Sequence, residues 1–249
     1  MYDFQKFFLV KGSKSDKLHH HGYHRIYPWF LEHFRKQEVT LLEIGIEKTE
    51  SLKLWDGYFK NLTLHGIDID AKNFENPNIT LHKVDQSKPK ELESFVTKVG
   101  TTFDIIVDDG SHVPEHQILT LDYIWALLKP GGVYIIEDIE TSYWGKSKIY
   151  GYKFNSNSIN VIQYLKNLID FVNIEFSGKK IKHKKNRDIN EEIEMITFAY
   201  NCVILIKKDY DSFTNLYNRN YRFPEKINQR AFRRYPSRVI KRFRSLFKI

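Results

Sequence analysis

Short apolar runs alternate with stretches of helical spacing through most of the chain. Residues 39–45, 62–68, 79–85, 103–109 and 133–138 form runs of strand length, several rich in Ile and Val, and such runs predict buried strands. Between them, residues 51–59, 89–99 and 116–128 repeat apolar positions at helical intervals. Lys129-Pro-Gly-Gly132 stops the last of these helices and turns the chain into the fifth strand. Strand, helix, strand in repetition implies parallel strands joined by crossover helices. Farther along, residues 156–171 predict a helix, and 172–176 and 196–206 two more strands. The basic run 179–187 reads as a hairpin connection or mobile loop between them. The last two strands are joined directly, which places an antiparallel strand near one edge. The expected architecture is α/β: a Rossmann-like, seven-stranded, mostly parallel sheet with helices on both faces. Residues 1–35 form a helical lead-in, 36–210 the main domain and 211–249 a basic extension.

Composition narrows the class. At 249 residues the chain is long enough for a full core, and aromatic residues, 15% of the total, supplement a hydrophobic fraction of 41%. The single cysteine, Cys202, excludes an intrachain disulfide and reads as a buried strand thiol. No run approaches the roughly 18 apolar residues of a membrane span. The N-terminus lacks a basic region followed by an apolar block, so no signal peptide is expected and the cytoplasm is the expected location.

The net charge of +8 is unevenly spread. Lys and Arg crowd the stretch after Arg219, whose single acid is Glu225, while the rest of the chain is near neutral. Within that tail Val239, Ile240, Phe243, Leu246 and Phe247 share one face of a helix. Such a helix packs on the domain or on a second subunit as a homo-oligomer, lies on the inner face of an anionic membrane, or binds the diphosphate of a nucleotide-linked sugar. Basic residues interleaved with aromatics also fit nucleic acid, but the near-neutral body weighs against that partner.

The candidate chemistry lies at the strand ends, where open α/β sheets bind ligands. The five runs end in Glu43-Ile-Gly45, Asp68-Ile-Asp70, Asp85-Gln-Ser87, Asp108-Asp-Gly-Ser-His112 and Glu137-Asp138. Capping of a following helix accounts for one or two of these acids, Asp85 or Asp70 first, but not for all. Asp68 follows Gly45 by 23 positions, the offset at which a carboxylate meets the ribose of a nucleoside cofactor. The segment Ile46-Glu-Lys-Thr-Glu-Ser51 holds no further glycine. That argues against a dinucleotide pyrophosphate and suits S-adenosylmethionine, which is cationic at its sulfonium and amine. Asp109, Glu137 and Asp138 in one crevice repel each other unless a cation sits between them. Oxygen donors without thiolates favour Mg²⁺ or Mn²⁺. His112, three positions after Asp109, is placed to take a proton. His116, one helical turn on, caps a helix or supports the metal ligands. Tyr143 and Trp144 stack on a sugar ring or simply pack. The triplet His19-His-His21 has the look of a metal site but no acid near it in sequence, and reads as a polar stretch by the cofactor mouth.

These blocks resemble the metal-dependent sugar O-methyltransferases of the class I methyltransferase superfamily. The matching pieces are Leu42-Glu-Ile-Gly45, Gly66-Ile-Asp68, Asp85-Gln-Ser87, Phe103 through His112 with His116-Gln117, and Lys129 through Asp138 with Thr141-Ser-Tyr-Trp144. Gly12-Ser-Lys-Ser-Asp-Lys17 with His21, Tyr23 and Tyr27 resembles the family's lead-in. The resemblance implies Asp109, Glu137 and Asp138 as metal ligands and His112 as general base, with Glu43, Gly45, Asp68, Asp85 and Asp108 around the cofactor. Gln86, Ser87 and Thr49 fall in the same cofactor loops, Thr49 and Glu50 standing where relatives carry glycines. The implied activity is methylation of a sugar hydroxyl, in capsule or surface-polysaccharide synthesis or on a secondary-metabolite glycoside. RNA 2′-O-methylation is the closest alternative. Substrate choice belongs to the region after residue 150, where the resemblance fades.

Overall fold

The computed structural model describes residues 14–47, 49–71, 76–144, 149–150, 160–173 and 187–209. The chain divides into two compact units, Met1–Asp209 and Tyr210–Ile249, and every described residue belongs to the first. The basic tail and most of the run 179–187 therefore lie outside the described residues.

After a lead-in of two short helices, α1 (Asp16–His19) and α2 (Pro28–Leu31), come β1 (Glu38–Ile44), α3 (Glu50–Tyr58), β2 (Asn61–Asp68) and β3 (Ile79–Lys83). Then follow α4 (Pro89–Lys98), β4 (Phe103–Asp108), α5 (Pro114–Ile124) and β5 (Leu128–Glu137). The last elements are α6 (Val161–Val172), α7 (Arg187–Glu192), β6 (Ile193–Ala199) and β7 (Cys202–Lys207). The sheet order is β3-β2-β1-β4-β5-β7-β6. The first five strands pair in parallel; β7 runs antiparallel to β5, and β6 antiparallel to β7. This is the doubly wound sheet that the alternating pattern predicts, reversing direction between β1 and β4.

Period-two alternation splits each strand between two cores. Leu41, Ile105, Val107, Val133 and Ile135 face one side, with Tyr23, Tyr27 and Leu31 of the lead-in and Leu52 and Trp55 of α3. Leu42, Ile44, Ile106, Tyr134 and Ile136 face the other, with Leu92, Phe95, Leu121, Ile124 and Leu165 from α4, α5 and α6. Central strands buried on both faces read as continuous apolar runs, which is why they were legible. Among the described residues no helix is long and apolar enough to cross a membrane.

Three expectations need correction. Residues 172–176 do not begin a strand: Val172 closes α6 and Asn173 ends it, while 174–176 are outside the described residues. The apolar run 196–206 is two strands, because the chain reverses at Tyr200-Asn201, with Asn201 left-handed at φ 58°. The Pro-Gly-Gly turn does not end a helix, which stops earlier. Phe103 pairs with Leu128 and Ile105 with Val133, so Lys129 through Gly132 bulge from the ladder within β5.

Candidate functional site

The tips of β1 and β4 meet through backbone. The Asp109 amide donates to the Ile44 carbonyl at 2.9 Å, and the Gly45 amide to the Ile67 carbonyl at 2.9 Å. Gly45 has φ 86°, and a Cβ there would lie 2.3 Å from the Asp109 carbonyl oxygen, so only glycine fits. The loop beyond keeps turning left-handed, at Glu47 (φ 27°) and Thr49 (φ 61°), where glycine would be at ease. The Asp68 carboxylate braces this loop, accepting from the Ile46 amide at 2.8 Å and from the Asp70 amide at 2.8 Å. Beside it Ile69 is 63% exposed, an apolar face open at the strand end.

Asp85, Gln86 and Asp108 lie in the turns that follow β3 and end β4. Asp85 accepts from the amide and hydroxyl of Ser87, which lowers its pKa and closes the turn into α4. The buried Gln86 donates to Asp108 Oδ1 (3.3 Å) and to Thr120 Oγ1 (3.1 Å), and accepts from the Ser111 amide at 2.6 Å. Burial raises the Asp108 carboxyl to about 7. Asp108 alternates away from Asp109, so the two adjacent acids serve opposite faces of the sheet.

On the lead-in face three acids converge. Lys17 of α1, fully buried, reaches Asp109, both oxygens of Glu137 at 2.9 Å, and Glu43 Oε1 at 3.5 Å. Burial opposes its charge, but the three carboxylates outweigh that and hold the ammonium well above the usual lysine range. The Tyr27 hydroxyl donates to Glu137 Oε1 at 2.5 Å, and Ser51 Oγ to Glu43 Oε2 at 2.8 Å. Glu43 Oε1 is buried with no hydrogen-bond partner, its nearest cation being Lys17. Burial and the charge of Asp109 push Glu137 up against the pull of Lys17.

Asp138 is left-handed at φ 53°, ψ 47°, as is His112 at φ 54°. Asp and His visit that region more often than most side chains, and neighbouring bonds support it here. Asp138 Oδ1 accepts from the Tyr23 hydroxyl at 2.8 Å and Asn201 Nδ2 at 3.0 Å, with His21 Nδ1 at 3.3 Å. Its Oδ2 lies 3.5 Å from His112 Nε2, which is 4.0 Å from Asp109 Oδ1. One donor atom each from Asp109, His112 and Asp138 thus lies within 4.8 Å of the others. The two carboxylates suit a hard divalent cation, and the His112 imidazole stands beside them. The Glu137 carboxylate is engaged by Lys17 and Tyr27, and Asp109 Oδ2 by Lys17 as well.

Other expected site residues fall into place. His116 Nδ1 pairs with Ser111 Oγ at 2.8 Å and so braces the loop that carries His112. Tyr143 (62% exposed) and Trp144 (50%) leave β5 on an open turn, with Tyr150 edge-on to Trp144 at 5.4 Å. They are available to a ligand. The His triplet does have an acidic neighbour, Asp138, brought to His21 by the fold rather than by sequence. Lys17, Tyr23, Tyr27 and Asn201 had no role assigned from sequence. Lys17 stood only as part of the lead-in motif, because lysine is ordinarily exposed. Asn201 lay inside what read as one strand, and only its turn-forming residue type hinted at a tip.

No protein-family model matches the chain. It is 32% identical over 170 residues to the 8-demethyl-8-α-L-rhamnosyl tetracenomycin-C 2′-O-methyltransferase of Streptomyces olivaceus, covering 65% of this chain and 44% of that one. It is 36% identical over 131 residues to the demethylmacrocin O-methyltransferase of Streptomyces fradiae, covering 47% of this chain and 33% of that one. The matched parts span less than half of these curated relatives. Among solved structures, the MycE methyltransferase of the mycinamycin biosynthetic pathway, in complex with Mg and SAH, superposes with a TM-score of 0.72 at 22% identity. That superposition covers 86% of this chain and 60% of that one, and it shows a shared fold.

Proposed function

We propose that the chain is a class I, metal-dependent sugar O-methyltransferase, transferring a methyl group from S-adenosylmethionine to a sugar hydroxyl, as its likeness to the relatives above supports. The observation that carries the reading is the convergence of Asp109, His112 and Asp138 within 4.8 Å at the carboxyl ends of β4 and β5. Asp109 and Asp138 would hold the cation. Glu137, one residue from Asp138, would join them only by exchanging its bonds to Lys17. When bound, a Mg²⁺-type ion would supply acidity to a coordinated acceptor hydroxyl. His112 Nε2 then takes the proton as the hydroxyl oxygen forms its bond to the methyl carbon and the carbon–sulfur bond breaks, releasing S-adenosylhomocysteine. Its Nδ1 is buried and has no hydrogen-bond partner among the described residues.

The cofactor side fits a cation. Glu43, whose Oε1 meets Lys17 at 3.5 Å, lies at the end of β1, and Asp68 and the exposed Ile69 stand at the end of β2. Trp144 and Tyr143 offer the acceptor an aromatic surface beside the catalytic turn. The tetracenomycin relative is named for methylating a rhamnosyl-bearing small molecule, which favours a glycoside acceptor. None of the relatives' names supports a capsular or nucleotide-linked sugar. Asp109→Ala and His112→Ala test the assignment. Each is expected to reduce turnover by at least about 100-fold while S-adenosylhomocysteine binding by calorimetry stays within about twofold. Full activity of chelator-stripped protein would remove the metal from the scheme.

A further inference from the structure

The β6–β7 hairpin reaches the candidate metal site through its tip. Register explains how. In the antiparallel β5–β7 ladder Ile136 faces Val203 and Glu137 faces Cys202. One step farther brings Asn201 level with Asp138, just where β5 ends. Asn201 there makes a set of bonds concentrated on one turn. Its Nδ2 donates to Asp138 Oδ1 at 3.0 Å, and its Oδ1 accepts from the Glu140 amide at 2.9 Å. Its backbone carbonyl accepts from the Ile139 amide at 3.3 Å and from the Tyr23 hydroxyl at 3.1 Å. Both Asn201 (φ 58°) and Asp138 (φ 53°) are left-handed. Asn tolerates that conformation better than most side chains, and here its amide also holds Asp138 in it.

We propose that Asn201 is a positioning residue for the metal: with the Tyr23 hydroxyl it fixes Asp138 Oδ1 and so presents Oδ2 toward His112 and the cation. The inference rests on the metal reading above. Bonds that orient a ligating carboxylate change metal affinity by about 10–100-fold when lost.

The test is a Mn²⁺ titration of the full chain, stripped with chelator, read by electron paramagnetic resonance. Asn201→Gly keeps the left-handed turn and the two backbone-carbonyl bonds but removes the side-chain bonds to Asp138 and the Glu140 amide, together with the 3.2 Å contact of Nδ2 with His21 Nδ1. Its Mn²⁺ dissociation constant is expected to rise at least about tenfold, with S-adenosylhomocysteine affinity by calorimetry unchanged. A general loss of structure would weaken both ligands. Tyr23→Phe removes the second bond to the same oxygen, so it is a second route should the glycine variant misfold, and it too should weaken Mn²⁺ selectively. If folded Asn201→Gly or Tyr23→Phe binds Mn²⁺ within about twofold of the unaltered protein, the positioning role is wrong and the metal site stands. If the unaltered protein binds no Mn²⁺, the metal site fails and the positioning role with it.

Discussion

Replacing Lys17 with Met is the most informative single perturbation of the site. The thioether keeps the length and the apolar stem, so packing in the lead-in core changes little. What disappears is the one ammonium that meets Asp109, Glu137 and Glu43 in a fully buried setting. Removing one partner of a buried ion pair typically costs about 3–5 kcal/mol, because a desolvated charge is left behind. For a chain of this length each kcal/mol moves the melting temperature by about 2–4 °C, so metal-free Lys17→Met is expected to melt about 6–20 °C lower. The loss should also depend on pH. Burial already raises Glu137 and Glu43 above the ordinary value of 4.5, and removing Lys17 raises them further. A carboxyl whose pKa is higher folded than unfolded takes up protons on folding, so its penalty grows as pH rises above about 4.5. Scanning calorimetry of chelator-treated protein at pH 6 and pH 8 should therefore show the larger deficit at pH 8. A melting temperature within about 2 °C of the unaltered protein at both pH values would refute the idea that Lys17 neutralises the cluster.

Other perturbations separate the parts of the site. Gly45→Ala puts a Cβ 2.3 Å from the Asp109 carbonyl oxygen at φ 86°, and should lower the urea midpoint by the equivalent of at least about 2 kcal/mol; an unchanged midpoint means the two strand tips can part freely. His65 and His82 stack across β2 and β3 with ring nitrogens 3.1 Å apart, and burial holds both below 6.5. The unfolded chain then binds protons more readily, so stability contributed above pH 6.5 is lost as pH falls below it. Urea midpoints between pH 7.5 and pH 5 should fall less steeply in His82→Gln, and equal slopes would sink that assignment. Trp144→Ala, at an exposed position, should leave the melting temperature alone and raise acceptor KM about tenfold with kcat retained; an unchanged KM would mean that the aromatic turn does not touch the acceptor.

The sheet was legible where burial on both faces forces continuous apolar runs, as in Ile105-Ile106-Val107 and Ile135-Ile136. The acids that end those strands were legible too, since a carboxylate just past an apolar run has no packing role. Periodicity could not see the tip at Tyr200-Asn201, because both arms of the hairpin are apolar and the reversal takes only two residues. Nor could it see that Lys17 crosses from α1 to strand ends 92 and 120 positions away. Cofactor-loop acids were read as one set, but their surroundings differ: Asp85 accepts from Ser87, and Asp108 Oδ1 meets Gln86 and the Gly110 amide while its Oδ2 is buried without a hydrogen-bond partner. A strand end marks where an acid sits; its partners, fixed by tertiary contact, decide what it does.

Methyl transfer to a glycosidic sugar is tested most directly by incubating the chain with isotopically labelled S-adenosylmethionine and a panel of rhamnosyl- and deoxysugar-bearing acceptors, with Mg²⁺ and then with excess chelator, and weighing the products by mass spectrometry. Gain of one labelled methyl on a sugar, lost with chelator and in Asp109→Ala, is the expected result. An equal gain with chelator present, or no gain on any acceptor by protein that binds both Mn²⁺ and S-adenosylhomocysteine, would contradict it.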